Sequence, residues 1–299
     1  MFDSAAQTLE RLSGLSLSDK QIERVCHHYG QELEAQSREE DPPGSSGEGL
    51  HYAMMDGSMI LTRHKDVKGK CKWAEMKLGR VFKAAAHVQL GDGEVVRGWI
   101  RSSRYVAHLG DCDDFFDKMM PLLDPLKQLV VVADGAKWIW ERIQDYYPSA
   151  IQILDFYHAV EHLADFAAGC SSINFKTDQQ RRRWLDEQKI LLLNDGLQRV
   201  CQNIRQLKTD TPEQVQQQEA LLNYYQNNRS RMNYQHYRAQ GWLIGSGPIE
   251  SAHRQVIQKR LKLSGQRWSL TGAQQVANLR VAWLSGQWQK LNRLIKIRA

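Results

Sequence analysis

Three carboxylates stand in settings that suit metal chemistry. Asp56 lies in Met54-Met-Asp-Gly-Ser-Met-Ile60, Asp134 closes an apolar run and precedes Gly135, and Glu250 lies in Gly245-Ser-Gly-Pro-Ile-Glu-Ser. Open α/β sheets gather ligands at the carboxyl ends of their strands, so an aspartate ending a buried strand is well placed to bind one. Taken singly, either Asp-Gly pair also fits a turn. Glu250 also fits a helix N-terminus, a contact worth about 0.3–1 kcal/mol. Together, two strand aspartates and one helical glutamate can hold two Mg²⁺ or Mn²⁺ ions about 4 Å apart, an arrangement that cleaves phosphodiesters.

Charge supports a polyanionic partner. Residues 229–299 carry thirteen Lys and Arg and one acidic side chain, Glu250, in a chain whose formal charge is +6. A basic flank supplies phosphate affinity, and a lone glutamate within it supplies a hard oxygen ligand. Lys259, Arg260, Lys262 and Arg267 cluster after Glu250, with Trp268 beside them. One reading is a phosphate-contacting face with Trp268 stacked on an exposed base. The other is a solvated helix face with a packed indole. Trp138, Trp140, Trp283 and Trp288 have helical spacing and are expected in the core.

The elements that must hold these residues follow from pattern. Residues 3–36 read as two helices broken at Ser13-Gly14-Leu15-Ser16, with Ser18 as N-cap of the second. Their acidic balance favours a packing hairpin over a DNA-reading helix pair. A Pro-, Gly- and Ser-rich linker follows, giving segments 1–38 and 39–50. Tyr52–Thr62, Leu78–Leu90 and Glu94–Ser103 read as strands, the last two joined at Gly91-Asp92-Gly93, and residues 111–125 as a helix. Gln128–Ala133 and Ala150–Leu154 read as strands buried on both faces, separated by a helix from Lys137 to Tyr147. Residues 159–240 are helical in pattern, and Thr211-Pro212-Glu213 marks a helix start. Pro248 opens a further helix, and C-terminal helices run from 271. Periodicity gives an α/β class.

Five scattered cysteines without a C-x-x-C pair fit reduced thiols. No stretch approaches the roughly 20 apolar residues that span a bilayer, and the N-terminus lacks the pattern of a signal peptide. A cytoplasmic, nucleoid-associated protein is the expectation.

Three segments carry a resemblance: Asp134-Gly-Ala-Lys-Trp-Ile-Trp140, Ile153-Leu-Asp-Phe-Tyr-His-Ala159 and Gly245-Ser-Gly-Pro-Ile-Glu-Ser-Ala252. Arg260-Leu-Lys-Leu-Ser-Gly-Gln-Arg-Trp-Ser269 and Leu279-Arg280 extend it. In this order they resemble the DDE transposases of bacterial insertion sequences, most closely the ISKra-type family, relative to which the sequence reads as N-terminally short. The resemblance implies an RNase H-like mixed sheet, three antiparallel strands and then parallel ones, with an all-helical insertion and flanking helices. The core would then occupy 51–165 and 242–299, around an insertion at 166–241. Asp56, Asp134 and Glu250 match the acidic triad, and Asp155-Phe-Tyr-His158 matches a C/D-x-x-H signature. His158 is thus a nucleotide contact or an orienting group, or else a hydrogen-bonded core histidine. The implied activity is metal-dependent cleavage at element ends and strand transfer into target DNA, by a homo-oligomer assembled on DNA. Two other functions remain open. One is a domesticated or truncated remnant that binds DNA without mobility. The other is a zinc protease, since His158-Ala-Val-Glu161-His162 spells H-x-x-E-H.

Overall fold

The structure, a computed structural model, describes residues 1–37, 49–84 and 100–297. Helices α1 (Phe2–Ser13) and α2 (Asp19–Ser37) precede strands β1 (Leu50–Lys65), β2 (Cys71–Ala84) and β3 (Ile100–Leu109). Then come α3 (Cys112–Leu123), β4 (Gln128–Ala133), α4 (Lys137–Tyr146), β5 (Ile151–Leu154) and α5 (Phe156–Gly169). Helices α6 (Ser171–Asn174), α7 (Asp178–Leu193), α8 (Leu197–Gln206), α9 (Pro212–Asn227) and α10 (Tyr234–Ala239) follow. The chain continues through α11 (Gly247–His253), a π-helical turn (Arg254–Gln258), α12 (Lys259–Leu261), α13 (Leu270–Leu284) and α14 (Trp288–Ile297).

The five strands form one sheet in the order β3-β2-β1-β4-β5. β1 and β2 pair antiparallel from His51↔Lys83 to Lys65↔Cys71, with an irregularity between Leu61 and Lys65. β4 and β5 pair parallel from Val130↔Ile151 to Ala133↔Leu154. The class is therefore α/β with a mixed, RNase H-like strand order. The linker at 39–48, the Gly91-Asp92-Gly93 hairpin and the expected strand residues between 85 and 99 lie outside the described residues.

Two strand boundaries differ from expectation. β2 begins at Cys71 rather than Leu78, because a turn joins β1 directly to it. Asp66 accepts the backbone N–H of Lys68 and of Lys70, each at 2.8 Å, and Gly69 adopts φ 76°. No Asn-Gly or Asp-Gly pair advertises that turn. β3 runs on to Leu109, past the expected end at Ser103.

Two compact units divide the described residues. The first takes those within Met1–Lys83, Ile100–Leu129 and Gly247–Ala299, the second Ala84 and those within Val130–Ser246. In the first, β1 and β2 bury Met54, Met55, Met76 and Leu78 completely. A Cβ at Gly79 would lie 2.3 Å from the Met119 sulfur, so the missing side chain lets α3 close on β2. The N-terminal hairpin packs, as its composition suggested. Ser18 Oγ accepts from Gln21 N–H at 3.2 Å and Gln21 Oε1 accepts from Ser18 N–H at 2.8 Å, a reciprocal cap. α2 then crosses α13 at Gly30, where a Cβ would meet the Gln275 carbonyl oxygen at 2.3 Å.

In the second unit, Val130 to Ala133, Ile153 and Leu154 are wholly buried. α5 adds Ala159 and Leu163, and α9 adds Tyr225, whose hydroxyl donates to the Ala159 carbonyl at 2.8 Å. Thr211 and Gln214 form a capping box at the start of α9, with Pro212 in its first turn. The tryptophan expectation holds only in part. Trp140 is buried, but Trp283 is 54% and Trp288 38% exposed. Those two pack edge to face on each other, 5.1 Å between ring centroids, which satisfies each without a place in the core. All five cysteines are free thiols.

Candidate functional site

In the first unit, burial is continuous along β1 from His51 to Met55 and relaxes at Asp56, which is half-buried. One Asp56 oxygen accepts the N–H of Gly57 at 2.6 Å. The other lies 3.1 Å from Nε2 of His253, an ion-pair distance, although the imidazole nitrogens form no aligned hydrogen bond. His253 is 4% exposed and ends α11. It stands one helical turn after Glu250, which is exposed. α11, which carries Glu250, packs on β1, which carries Asp56 194 positions earlier in the sequence.

Arg80 fixes the start of that helix. Its guanidinium donates to the Pro248 carbonyl at 2.7 Å and to Ser103 Oγ at 2.9 and 3.1 Å. It also lies 5.2 Å from the Phe82 ring and 5.3 Å from the Tyr105 ring. Burial pushes its pKa down from the ordinary value. After α11 the helix widens into a π turn, where Arg280 donates to the Gln255 carbonyl at 2.7 Å. Such turns recur at functional sites.

Lys259, Arg260, Lys262 and Arg267 are all exposed, and none has a carboxylate partner among the described residues. Lys262 reaches β1, its ammonium 3.1 Å from Ser58 Oγ, two residues from Asp56. Trp268 corrects the stacking expectation. It is 6% exposed, and its indole N–H donates to the Leu261 carbonyl at 3.1 Å. Its backbone pairs with β1, donating to Leu61 O at 3.0 Å and accepting from Arg63 N–H at 2.7 Å. An indole pinned on both counts has no face open to a base.

The second unit holds Asp134, half-buried at the end of β4. Its Oδ1 accepts the Ala136 N–H at 2.9 Å, and its carbonyl accepts the Trp140 indole N–H at 2.6 Å. Gly135 follows for a steric reason, since its φ is not positive. A Cβ there would lie 2.2 Å from Cε2 and 3.1 Å from the hydroxyl oxygen of Tyr224, on α9. That hydroxyl is buried without a hydrogen-bond partner among the described residues, a condition that costs about 1–3 kcal/mol. Burial first, and then the charges of Asp134 and Asp155, push its pKa up.

Asp155 is 3% exposed and caps α5. Its carboxylate accepts Tyr157 N–H at 2.7 Å, His158 N–H at 3.4 Å, Ser246 N–H at 3.1 Å and the Ser246 hydroxyl. Gly245 lets Tyr157 approach, since a Cβ there would lie 2.6 Å from its ring. The Asp of the D-x-x-H motif is therefore a structural clasp. His158 is neither buried nor core. Its Nδ1 sits 3.2 Å from Glu161 Oε2, and its ring meets His162 edge to face at 4.8 Å. His162 in turn lies 4.6 Å from the Tyr224 ring. Burial, and then His158, push the pKa of His162 down, while Asp165, Glu161 and Asp134 oppose this.

Among the described residues no three His, Cys, Asp or Glu side chains are gathered as a metal site, whether from the acidic triad or from the H-x-x-E-H segment. In kind, the carboxylate oxygens of Asp56, Asp134 and Glu250 are the hard donors that Mg²⁺ and Mn²⁺ take. Sequence reasoning missed three residues: His253, Arg80 and Tyr224. His253 was findable, standing one turn after Glu250. The other two act through tertiary contacts that no spacing reveals.

This is an α/β protein with a mixed five-stranded sheet of RNase H-like order and an acid on β1, at the end of β4 and on α11. The chain belongs to the family described as Uncharacterised protein family (UPF0236), which matches residues 111–296. No curated protein matches it. Among solved structures, it is similar to the Drosophila P element transposase strand transfer complex. That likeness has a TM-score of 0.45 and 9% identity, covering 93% of this chain and 88% of the other. No helix of the described residues is long and apolar enough to cross a membrane.

Proposed function

We propose that this chain is a DDE-type transposase of a bacterial insertion sequence, of the ISKra type that its motifs resemble, acting on DNA at the nucleoid as a homo-oligomer. The observation that carries the reading is the docking of α11 on β1 through the His253–Asp56 contact, with Glu250 one turn away and Lys262 at Ser58. A strand acid, an acid on the helix packed against that strand and exposed cations supply the residue types that phosphodiester chemistry needs. The third acid of the proposed set is Asp134, at the end of β4.

In this proposal Asp56, Asp134 and Glu250 hold two Mg²⁺ or Mn²⁺ ions. When bound, such ions neutralise phosphate charge and make water a stronger nucleophile. Lys259, Arg260, Lys262 and Arg267 track the DNA backbone, and His158 sits at the rim as an orienting group. Water attacks the phosphodiester at the element end, the P–O bond to the departing 3′ oxygen breaks, and a 3′-hydroxyl is left. That hydroxyl attacks a target phosphodiester, exchanging one P–O bond for another.

The test is a duplex carrying the DNA that flanks the gene, incubated with the full chain and Mn²⁺. Nicking at a defined position, lost in Asp134→Asn with DNA binding retained, supports the reading. A chain that shifts the duplex but never nicks it is a DNA-binding remnant instead. One that purifies with a tightly held zinc and cuts peptides is a protease. Replacing Lys259 and Arg260 together by Ala is expected to weaken binding and to reduce the salt slope by about 2, read from log K against log salt. An unchanged slope removes both from the interface.

A further inference from the structure

We propose that Trp283 and Trp288, with the exposed cations of the helix that Trp288 opens, form a site for an unpaired strand of DNA whose bases stack on the two indoles. The inference rests on the DNA-binding half of the reading above and needs none of its metal chemistry.

A short turn sets the two rings. α13 ends at Leu284 and α14 begins at Trp288. Between them Gly286 takes φ 70°, and the Gln287 N–H donates back to the Ala282 carbonyl at 2.8 Å. β3, the end strand of the sheet, clamps this turn. Arg104 donates to the Ser285 carbonyl, and the Tyr105 N–H donates to Ser285 Oγ at 3.0 Å. Further along α14, Leu291 and Leu294 are buried with Leu33 of α2 and Ala282 of α13. The indoles are thus held in place before a partner arrives, which lowers the ordering cost of binding.

Packing does not use up these rings. With their edge-to-face contact made, Trp283 keeps 54% and Trp288 38% of its surface exposed. Ile295, two turns after Trp288 on the same side of α14, is also exposed. Charge decides what fits. Arg293 and Lys296 are exposed without a carboxylate partner among the described residues, and the sequence from 251 to 299 holds no Asp or Glu. A second copy docked through the same patch would set these cations against their own images, which disfavours self-association. A strand with unpaired bases satisfies both halves of the surface. Its phosphates meet the cations, and its bases offer π faces to the indoles whatever their identity. In a duplex those faces are covered by neighbouring bases, so the site favours unpaired DNA.

The experiment uses the full chain and a fluorescein-labelled deoxythymidine strand of about 12 nucleotides, read by anisotropy. The comparators are an abasic strand and a duplex of the same length. The wild-type chain is expected to bind the thymidine strand about 10- to 100-fold more tightly than the abasic one, at equal phosphate charge. Equal affinity overturns the proposal, and this comparison needs no variant. Trp283→Leu with Trp288→Leu keeps apolar bulk and removes both indoles. It is expected to abolish the preference while duplex binding stays. A preference retained in that variant, with its unfolding transition normal, places the stacking elsewhere and overturns the proposal. Arg293→Ala with Lys296→Ala is expected to reduce the salt slope for the thymidine strand by about 1.4. An unchanged slope overturns their place in the site. If the double Trp variant converts a wild-type dimer to a monomer and binds the thymidine strand as before, the patch is a self-association face instead. A chain that binds duplex without preferring thymidine to abasic strand sinks this inference alone. One that binds neither strand nor duplex takes the DNA reading down with it.

Discussion

Two strand-to-helix turns in the second unit begin alike and end differently. β4 closes at Ala133 and β5 at Leu154, paired in parallel, and each is followed at once by an aspartate. At Asp155 the helix starts at the next residue, so the carboxylate becomes the N-cap and its oxygens are taken by backbone and Ser246. At Asp134 two residues, Gly135 and Ala136, intervene before α4, and Ala136 caps without a side-chain bond. Asp134 accepts the Ala136 N–H and remains half-buried. Loop length makes Asp155 the N-cap of its helix and sets Asp134 two residues before the Ala136 cap of α4. That is also why a motif containing Asp155 says little about catalysis at Asp155 itself.

The contrast can be broken at several points. The largest effect is expected at Asp134. Asp134→Asn keeps the acceptor for Ala136, so stability should stay within about 1 kcal/mol, while Mn²⁺-dependent nicking falls about a thousandfold or more. Nicking at a tenth of wild type or better would move Asp134 to the structural side. Asp155→Ala should behave in the opposite way. Losing the cap and stranding the Ser246 N–H should cost about 2–4 kcal/mol in urea unfolding. A loss under about 0.5 kcal/mol would mean that the clasp is not holding α5 to the loop at Ile244–Ser246.

A smaller and sharper test concerns Gly135. Gly135→Ala forces a Cβ into the Tyr224 ring and should destabilise by about 1–3 kcal/mol. Adding Tyr224→Ala should remove that penalty, giving a coupling of about 1 kcal/mol in a double-mutant cycle. Strict additivity would show that the two residues are not in contact in solution.

The sequence by itself determined the secondary structure and most of its order. Apolar runs made β4 and β5, turn chemistry broke α1 from α2, and Thr211-Pro212 opened α9, because each depends on neighbours within a few residues. It also marked Asp56, Asp134 and Glu250, since acids within a strand, just past a strand's end and alone in a basic segment are uncommon for solvation alone. Tertiary structure decided the rest. Whether Trp268 faced a base or β1, whether Asp155 was free or saturated, and which hydroxyl stood unpartnered at Gly135 depend on segments tens to hundreds of residues away. Burial and hydrogen-bond capacity belong to the packed neighbourhood, and no spacing along one strand or helix encodes what another element brings to it.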